Sequence, residues 1–280
     1  MKRVMLAMVS AVFLVMSMDA RAEEPSKLRI ATEGAYPPYN LVLPSGELAG
    51  YDVDVARDLC GRLKVECEIV AQDWDGIIPG LNAGKYDAII AAMVTTPERA
   101  EVVDFTAPYG KMSLSFIAPK SSELASLKPE QTDYSLSDDP EKAQKAIDAL
   151  KPLLKGKLIG VQSSTTQAQF VEHYLKGTAE PREYKTAEAM ILDLNAGRID
   201  AALDAIGFFS GILASKDGQD LTFIGPRFSG GLFGGDSVIA VRKGDALKDK
   251  INEALAAAKA DGSLKALSEK WFHTDISPAP

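Results

Sequence analysis

The sequence has few of the residues that most often bind transition metals. Its 280 residues include only two histidines and two cysteines, and neither His173 nor His273 has a partner at the spacing of a metal ligand. It also lacks the G-x-S-x-G motif of many serine hydrolases and the G-x-x-x-x-G-K motif that holds nucleotide phosphates. These absences disfavour a metalloenzyme, a serine hydrolase and a P-loop nucleotidase, so we expect no metal, no cofactor and no catalytic residue.

Basic residues are too few for a nucleic-acid-binding protein. The chain contains 31 basic and 39 acidic residues, a net charge of −8. Residues 1–22 hold three of the basic and one of the acidic residues, which leaves 28 basic and 38 acidic residues and a net charge of −10 for the remainder. The acidic residues are spread along the sequence, so we interpret them as part of a solvated surface.

Long apolar runs are also scarce, and the one that is present lies at the N-terminus. Lys2 and Arg3 precede an apolar run from Val4 to Met18, and Ala20-Arg21-Ala22 follows it, as in a secretory signal peptide cleaved after Ala22. No other apolar run approaches the roughly 20 residues of a membrane span, and no cysteine near the cleavage site could carry a lipid. We therefore expect export of a soluble mature chain without an anchor.

In an exported protein, the two cysteines, Cys60 and Cys67, are expected to form a disulfide. They have six residues between them and lie near the join between a predicted helix and a predicted strand. Because the closed loop is so short, the disulfide would be a local restraint and not a catalytic group.

Predicted strands and helices alternate along most of the chain, which indicates a parallel α/β sheet. The segment 81–88 recurs at 194–201 with an identical or Lys/Arg-exchanged residue at seven of eight positions. Each copy predicts a helix end, a glycine and a strand. Helix capping alone explains a glycine before a strand but not this degree of similarity. We therefore expect two lobes of similar build.

The expected first lobe combines residues 23–111 with residues 235–280, and the second lobe is formed by residues 112–234. The tail contains an amphipathic helix in residues 245–260 that would complete the first lobe. The chain would then cross twice between the lobes and form a hinge over a ligand cleft. We interpret the polar residues 121–150 as a surface insertion.

Arg99 is a candidate carboxylate-binding residue. The apolar run from Ala88 to Met93 is typical of a strand buried on both faces, and Thr96-Pro97 favour a helix start soon after it. Arg99 then falls in the first helical turn, where the helix dipole disfavours a cation by about 0.3–1 kcal/mol. This placement indicates a bound anion. The alternative is a surface arginine paired with a neighbouring glutamate.

Polar and aromatic residues after other predicted strands could complete a small-molecule site. The segment Ser164-Thr165-Thr166 could donate hydrogen bonds to the same anion, or it could only cap a helix. Tyr36 and Trp74 could stack on a ligand side chain, or they could pack in the core. Glu33 follows the first predicted strand and could pair with a cationic group of the ligand, or it could lie at the surface.

Several longer motifs occur together in the chain and span nearly all of it after residue 22. They are Gly50-Tyr51-Asp52-Val53-Asp54, Asp58-Leu59-Cys60 with Cys67, Trp74-Asp75-Gly76-Ile77-Ile78-Pro79, Asp87-Ala88-Ile89-Ile90, Arg99, Asp104-Phe105 with Pro108-Tyr109, Gly230-Gly231-Leu232-Phe233-Gly234, and Asp261-Gly262 with Trp271-Phe272. This set resembles the periplasmic solute-binding proteins of polar amino-acid ABC transporters. The resemblance is closest to the branch with histidine-, lysine/arginine/ornithine-, octopine- and nopaline-binding proteins.

The resemblance implies a fold and a set of binding residues. The fold would be the α/β, two-lobed periplasmic binding-protein fold of type II, with two hinge crossings and a ligand cleft between the lobes. Glu33 would bind a basic side chain, Tyr36 and Trp74 would stack on it, and Arg99 would bind the carboxylate. The second lobe would supply an anion-binding loop made of Ser164, Thr165, Thr166 and Gln167.

Two departures from the family pattern bear on the ligand. Ala91, Ala92 and Val94 stand where amino-acid binders have serine hydroxyls. Ala205 stands where they have the aspartate for the α-ammonium group, with Asp204 one position earlier. A primary ammonium would lose much of its usual cage, and an unpaired buried ammonium is unfavourable, so a free amino acid is disfavoured.

Other positions resemble the nopaline/octopine branch, whose ligands are N-substituted amino acids called opines. These positions are Gln162, the segment Ala91-Ala92-Met93, and Leu114, which would help to select the opine. We therefore expect a monomeric periplasmic carrier that delivers an opine or a related basic amino-acid derivative to an inner-membrane ABC permease.

Three other interpretations stay open. One is a binding protein for arginine, lysine or histidine. Another is a periplasmic enzyme similar to cyclohexadienyl dehydratase, with Glu33 and Asp204 as the candidate acids. The third, a sensor domain, would need a membrane-attached partner.

Overall fold

The computed structural model describes residues 27–278, and the predicted signal peptide lies outside this range. The strands are β1 Lys27–Thr32, β2 Ala35–Tyr36, β3 Asn40–Val42, β4 Leu48–Ala49, β5 Glu66–Ala71, β6 Ala88–Ile89, β7 Val103–Gly110, β8 Leu114–Pro119, β9 Asp133–Ser135, β10 Leu158–Gln162, β11 Glu180–Tyr184, β12 Ala201–Ala205, β13 Leu221–Ser229 and β14 Ser237–Arg242.

The α-helices of the same range are α1 Tyr51–Leu63, α2 Ile77–Asn82, α3 Pro97–Val102, α4 Pro140–Leu154, α5 Thr166–Tyr174, α6 Ala187–Asn195, α7 Ile206–Ala214, α8 Leu247–Ala260 and α9 Ser263–Phe272. A short 3₁₀ helix, Trp74–Gly76, precedes α2. None of the helices within residues 27–278 is both long enough and apolar enough to cross a membrane.

Two larger sheets organise the described chain. The first sheet has the strand order β5-β1-β6-β14-β7, and the second has the order β11-β10-β12-β8-β13-β9. In the first sheet β1 pairs in parallel with β5 and β6, whereas β14 is antiparallel to β6 and β7. In the second sheet β10 pairs in parallel with β11 and β12, whereas β8 is antiparallel to β12 and β13. The predicted α/β class is confirmed, with antiparallel strands in both sheets.

The chain passes between the two sheets twice. Strand β7 ends the first visit to the first sheet at Gly110, and β8 opens the second sheet at Leu114. Strand β13 ends at Ser229, and β14 returns to the first sheet at Ser237. The proposed lobe boundaries, after residues 111 and 234, fall inside these two connections.

The eight-residue repeat has the same structure in both copies. In the first copy α2 is followed by Gly84, with a φ of 73°, and then by β6. In the second copy α6 is followed by Gly197, with a φ of 67°, and then by β12. These left-handed angles explain why glycine stands at both positions. Strands β6 and β12 also match, since each lies between one parallel and one antiparallel neighbour.

Residues 121–150 are more than the surface insertion that the polar composition predicts. Helix α4 begins at the cap Asp139 and buries Ala143, Ile147, Leu150 and Leu154 in the core of the second sheet. Strand β9 adds to the same sheet beside β13. The sequence-based interpretation was wrong because a helix needs only one apolar stripe, and charged residues lie beside that stripe in α4.

The predicted disulfide is present. Cys60, at the end of α1, is bonded to Cys67, in β5, with a Cα–Cα distance of 5.7 Å. The bond ties the helix to the outermost strand of the first sheet.

Candidate ligand-binding site

A cavity lies between the two sheets. Both sheets contribute to its lining, because the loops that follow β1, β6, β10 and β12 meet there. The lining residues are Glu33, Tyr36, Trp74, Ala91, Ala92, Val94, Arg99, Met112, Gln162, Thr165, Gln167 and Asp204. Ten of these are candidate site residues from the sequence analysis, Val94 appears there only as a position without a serine hydroxyl, and Met112 is additional.

Arg99 is a desolvated cation with no carboxylate partner among the described residues. Its backbone N–H donates to the Thr96 side chain, the N-cap of α3, as the sequence predicts. Its guanidinium donates to the carbonyl oxygens of Val94, at 2.9 Å, and Ser164, at 3.2 Å, and lies 5.1 Å from the centre of the Trp74 ring. Burial lowers the pKa of Arg99 to about 10. An anionic ligand group would offset this desolvation.

Glu33 is an acid whose ionisation the site disfavours. Burial raises the pKa of the Glu33 carboxyl to about 7 and outweighs the hydrogen bond from Gln162, which lowers it. The Gln162 amide nitrogen donates to Glu33 at 2.7 Å and to the Lys185 carbonyl at 3.1 Å. The bond between Glu33 and Gln162 joins the loop after β1 to the end of β10. A cation beside Glu33 would favour its ionised form.

Asp204 accepts three hydrogen bonds on one oxygen. The donors to Oδ1 are the Tyr36 hydroxyl at 2.6 Å, the Gln167 amide at 2.8 Å and the Ala205 backbone N–H at 2.8 Å. Asp204 is buried, and burial raises its pKa to about 6. These donors engage the group that would otherwise be the nearest acceptor for a ligand ammonium.

The two aromatic candidates have different surroundings. One face of Tyr36 is covered by Phe208, with ring centres 4.7 Å apart and planes 3° apart. The Arg99 guanidinium lies over the Trp74 ring, and the Trp74 indole N–H donates to the Ser164 carbonyl at 3.3 Å. In this arrangement Tyr36 contacts α7 through its ring and β12 of the second sheet through its hydroxyl.

Ser164 and Thr166 do not line the central cavity but border an outer groove that adjoins it at Trp74, Arg99 and Thr165. The Ser164 hydroxyl donates to Asp75 at 2.9 Å. Thr165 is the N-cap of α5, because its hydroxyl accepts from the Ala168 N–H. The residues of the expected anion-binding loop therefore differ in what they do. Ser164 contacts Asp75 across the cleft, and Thr165 caps α5 and lines the cavity.

Two further candidate residues, Met93 and Leu114, are not among the residues that line the central cavity, although Met93 borders the outer groove. Met93 packs into the small core around Ile77 and Leu81, because it points away from the side on which Ala92 faces the cavity. Leu114 begins β8 and is buried in the core, where its backbone pairs with Ala205. Met112, two residues earlier, lines the cavity instead. No pattern in the sequence distinguishes these two apolar residues.

The residues around Trp74 hold the two sides of the cleft together. Asp73 pairs with Lys185 at 2.6 Å, and Asp75 accepts from the Ser163 and Ser164 hydroxyls. The cleft is thus closed in this structure. Within residues 27–278, no group of three or more His, Cys, Asp or Glu side chains is arranged to hold a metal ion.

The sequence matches a family model along almost its whole described length. Residues 28–274 match the model of the bacterial extracellular solute-binding proteins, family 3. The chain belongs to this family.

Curated relatives of this family member are binding proteins. The octopine-binding periplasmic protein of Rhizobium meliloti is 40% identical over 290 residues, which covers 97% of this chain and 98% of the relative. The L-arginine-binding protein of Pseudomonas aeruginosa is 35% identical over 276 residues, with 97% of each chain covered. The chain is therefore similar over its full length to binding proteins for two different ligands.

Solved structures confirm the type II binding-protein fold. An ancestral arginine-binding protein bound to arginine has a TM-score of 0.72 and 31% identity, and the match covers 88% of this chain and 98% of that one. An ancestral amino acid-binding protein, described as a precursor of cyclohexadienyl dehydratase, has a TM-score of 0.72 and 27% identity, with 88% and 96% covered.

Proposed function

We propose that this protein is an extracytoplasmic carrier for an opine, or a related N-substituted basic amino acid. It closes over the ligand and delivers it to an inner-membrane ABC permease. It acts as a periplasmic monomer, after cleavage of a signal peptide behind Ala22. The similarity to the octopine-binding and L-arginine-binding proteins supports this class of ligand.

The observation that carries the proposal is the desolvated guanidinium of Arg99. Backbone carbonyls are its hydrogen-bond acceptors, and no carboxylate of the described residues forms an ion pair with it, although Glu98 acts on its charge at longer range. A ligand carboxylate would accept two parallel hydrogen bonds from such a guanidinium. Burial makes that pair stronger than one at the surface.

Glu33 supplies the opposite charge in the same cavity. A guanidinium or imidazole group of the ligand would pair with its carboxylate and lower its pKa from the raised value of the empty site. The ligand is thus expected to carry at least one anionic and one cationic group.

The apolar wall argues for a substituted amine. Ala91 and Ala92 offer no hydroxyl, and Asp204 already accepts three hydrogen bonds on Oδ1. A primary ammonium has three protons to satisfy, whereas the substituted nitrogen of an opine has fewer and also brings apolar surface and a second carboxylate.

Isothermal titration calorimetry against octopine, nopaline, arginine, lysine and histidine tests the ligand class. We expect an opine to bind at least tenfold more tightly than any of the three free amino acids. A preference for free arginine would favour the basic amino-acid-binding alternative instead.

The role of Arg99 is tested with a matched pair of variants. Arg99→Ala should weaken binding of the preferred ligand at least 100-fold, about 2.8 kcal/mol, because it removes the charge that pairs with the carboxylate. Arg57→Ala removes an arginine from an exposed ion pair with Asp54 and should leave the affinity within threefold. Near-normal binding by Arg99→Ala would contradict the proposed anchor.

A second candidate function is an enzyme similar to cyclohexadienyl dehydratase. Two buried acids with raised pKa values, Glu33 and Asp204, line the cavity and could act as general acids. We propose that the chain is not an enzyme, because Asp204 accepts hydrogen bonds from three donors and Glu33 accepts one from Gln162. Turnover of prephenate or arogenate that is lost in Glu33→Gln would establish the enzyme instead.

A further inference from the structure

Ala92 lies at the cavity wall with an unusual backbone conformation. Its φ is +49°, in the left-handed region that residues other than glycine rarely adopt. Such a conformation persists only when its surroundings hold it in place. Here the Ala92 N–H donates to the hydroxyl of Tyr109, at 3.0 Å.

The Tyr109 hydroxyl belongs to a buried chain of hydrogen bonds, which we call the Asp52 relay. Tyr109 donates to Asp52 Oδ1 at 2.7 Å, and the Asn40 amide donates to Asp52 Oδ2 at 2.8 Å. The Gly34 N–H donates to Asn40 Oδ1 at 2.7 Å. All three side chains of the relay are completely buried.

The relay joins two ligand-facing segments that are far apart in sequence. One end holds Gly34, the residue directly after Glu33, and the other end holds Ala92. The three side chains between them come from β3, α1 and β7. None of Asn40, Asp52 and Tyr109 lines the cavity.

Every hydrogen bond in the relay has a fixed direction. A backbone N–H can only donate, so the Tyr109 hydroxyl must accept from Ala92 and give its own proton to Asp52. By the same logic Asn40 accepts from Gly34 through its oxygen and donates to Asp52 through its nitrogen. Asp52 must therefore accept on both oxygens, which an ionised carboxylate does and an amide does not.

Burying a carboxylate so that it accepts from two donors costs free energy, because the charged group loses its hydration. No ion pair to Asp52 exists among the described residues, and burial disfavours its charge. A core built only for stability could instead have apolar side chains at all three positions, Asn40, Asp52 and Tyr109.

We propose that Asp52 is a positioning residue for ligand binding, which acts through Tyr109 and Asn40 to fix Ala92 and the Glu33–Gly34 loop in their binding geometry. The relay raises the affinity without touching the ligand, because less ordering remains to be done when the ligand binds. The affinity part of this inference rests on the proposed function, and the backbone part does not.

Two buried tyrosines give a matched test. Tyr109→Phe removes the hydroxyl that holds Ala92. Tyr51→Phe removes a hydroxyl of the same kind that donates to the backbone carbonyl of Tyr109, at 2.6 Å, and lies outside the relay. Both variants should lower the melting temperature. Amide hydrogen exchange by NMR, measured without ligand, should be at least tenfold faster at Ala92 in Tyr109→Phe and within threefold of the original rate in Tyr51→Phe.

Affinity is measured with octopine and L-arginine as probes. For whichever probe binds, Tyr109→Phe should weaken the affinity at least tenfold, and Tyr51→Phe should leave the affinity within threefold of the original value. In an Ala92→Gly background the loss caused by Tyr109→Phe should fall below threefold, because glycine adopts a positive φ without being held. If neither of these probes binds, and nopaline, lysine and histidine do not bind either, the proposed function fails, while the exchange rates still decide whether the relay holds Ala92.

Asp52→Asn provides a second variant of nearly equal shape. Its amide presents one donor where two acceptors are needed, so exchange at either Ala92 or Gly34 should accelerate. The proposal is overturned if Tyr109→Phe leaves exchange at Ala92 unchanged. It is also overturned if the two tyrosine variants weaken binding equally, since loss of stability alone would then explain the effect. If Asp52→Asn does not fold, the tyrosine pair decides the matter.

Discussion

Arg99 and Glu33 are charged groups that burial in the site shifts toward neutrality from opposite directions. Burial lowers the pKa of Arg99 to about 10 and raises that of Glu33 to about 7. Each shift reports free energy that the folded protein has lost by desolvating a charge. A ligand with complementary charges recovers part of it, so the same burial that weakens the empty protein strengthens binding.

With the cleft closed, Glu33 should make the protein less stable as the pH rises. Because its folded pKa, about 7, lies above the ordinary value of 4.5, the folded state holds more protons than the unfolded state between these values. The free energy of unfolding should therefore fall through this window, on the order of 1.4 kcal/mol per pH unit at most. Urea unfolding of the original protein and of Glu33→Gln at pH 4.5, 6 and 8 isolates this contribution.

We expect Glu33→Gln to gain stability relative to the original protein as the pH rises from 4.5 to 7 and to change little above 8. Glu101→Gln, which removes an exposed carboxyl outside the cavity, is the control and should show no such trend. A Glu33→Gln difference that is constant with pH would contradict the raised pKa.

Candidate site residues near strand ends could be predicted from the sequence, but the buried residues that hold them in position could not. Arg99 could be found because its position in a helical turn is anomalous within one short segment. Asp52 sits in the first turn of α1, where an acid is ordinary, and nothing local shows that Tyr109 lies against it. The Asp52 relay depends on contacts between residues 40, 52, 92 and 109, which the folded chain alone brings together.

At the scale of elements, the helices α5 and α6, which lie beside the second sheet, both begin at a threonine N-cap. Thr165 accepts from the Ala168 N–H at the start of α5, and Thr186 accepts from the Ala189 N–H at the start of α6. The first cap lines the cavity, and the second does not. The two sites thus separate the capping role of a threonine from a ligand-binding role.

Thr165→Ala and Thr186→Ala should each lower the free energy of unfolding by about 1 kcal/mol, because each leaves a helix N–H without its cap. Only Thr165→Ala should also weaken ligand binding, by about fivefold to tenfold. Chemical denaturation and calorimetry on both variants check this. If the two variants bind the ligand with equal affinity, Thr165 acts only as a helix cap.

Helices with caps at both ends could be predicted closely, whereas short strands could not. Thr96-Pro97 marks a helix start that the structure confirms. The polar segment before residue 150 was misjudged, because the stripe of Ala143, Ile147, Leu150 and Leu154 is narrow and surrounded by lysines and acids. Strands as short as β2 and β4 have too few residues to show a periodicity.

At the scale of the whole molecule, the two tryptophans report on different parts. Trp74 contacts the Ser164 carbonyl across the cleft, whereas the Trp271 N–H donates to Asp54 at 2.7 Å within the part built on the first sheet. The two sides of the cleft also meet through the exposed pair of Asp73 and Lys185. Separation of the sides would expose Trp74 and leave Trp271 unchanged.

Ligand binding should shift tryptophan emission to shorter wavelength, because the closed cleft excludes water from Trp74. Trp271→Phe should keep the shift and Trp74→Phe should lose it, as measured by fluorescence titration. Solution scattering on the Trp271→Phe variant should show a smaller radius of gyration with ligand than without it. A shift that disappears in Trp271→Phe would contradict movement about the two connections between the sheets.

The two-part architecture was visible in the sequence because the repeat at 81–88 and 194–201 is long enough to exceed chance. The closed cleft was not, since its contacts join Trp74 and Asp75 to residues about 90 positions away.

The disulfide between Cys60 and Cys67 has a consequence for assembly with other chains. It anchors β5, which is the outermost strand of the first sheet and has unpaired backbone groups along one side. Such an edge can accept a strand from a second molecule when it peels away or straightens, which leads to domain swapping and aggregation. A covalent tie to α1 near the start of β5 limits both movements. The protein therefore gains protection against self-association from an oxidising compartment, and a reducing one would remove it.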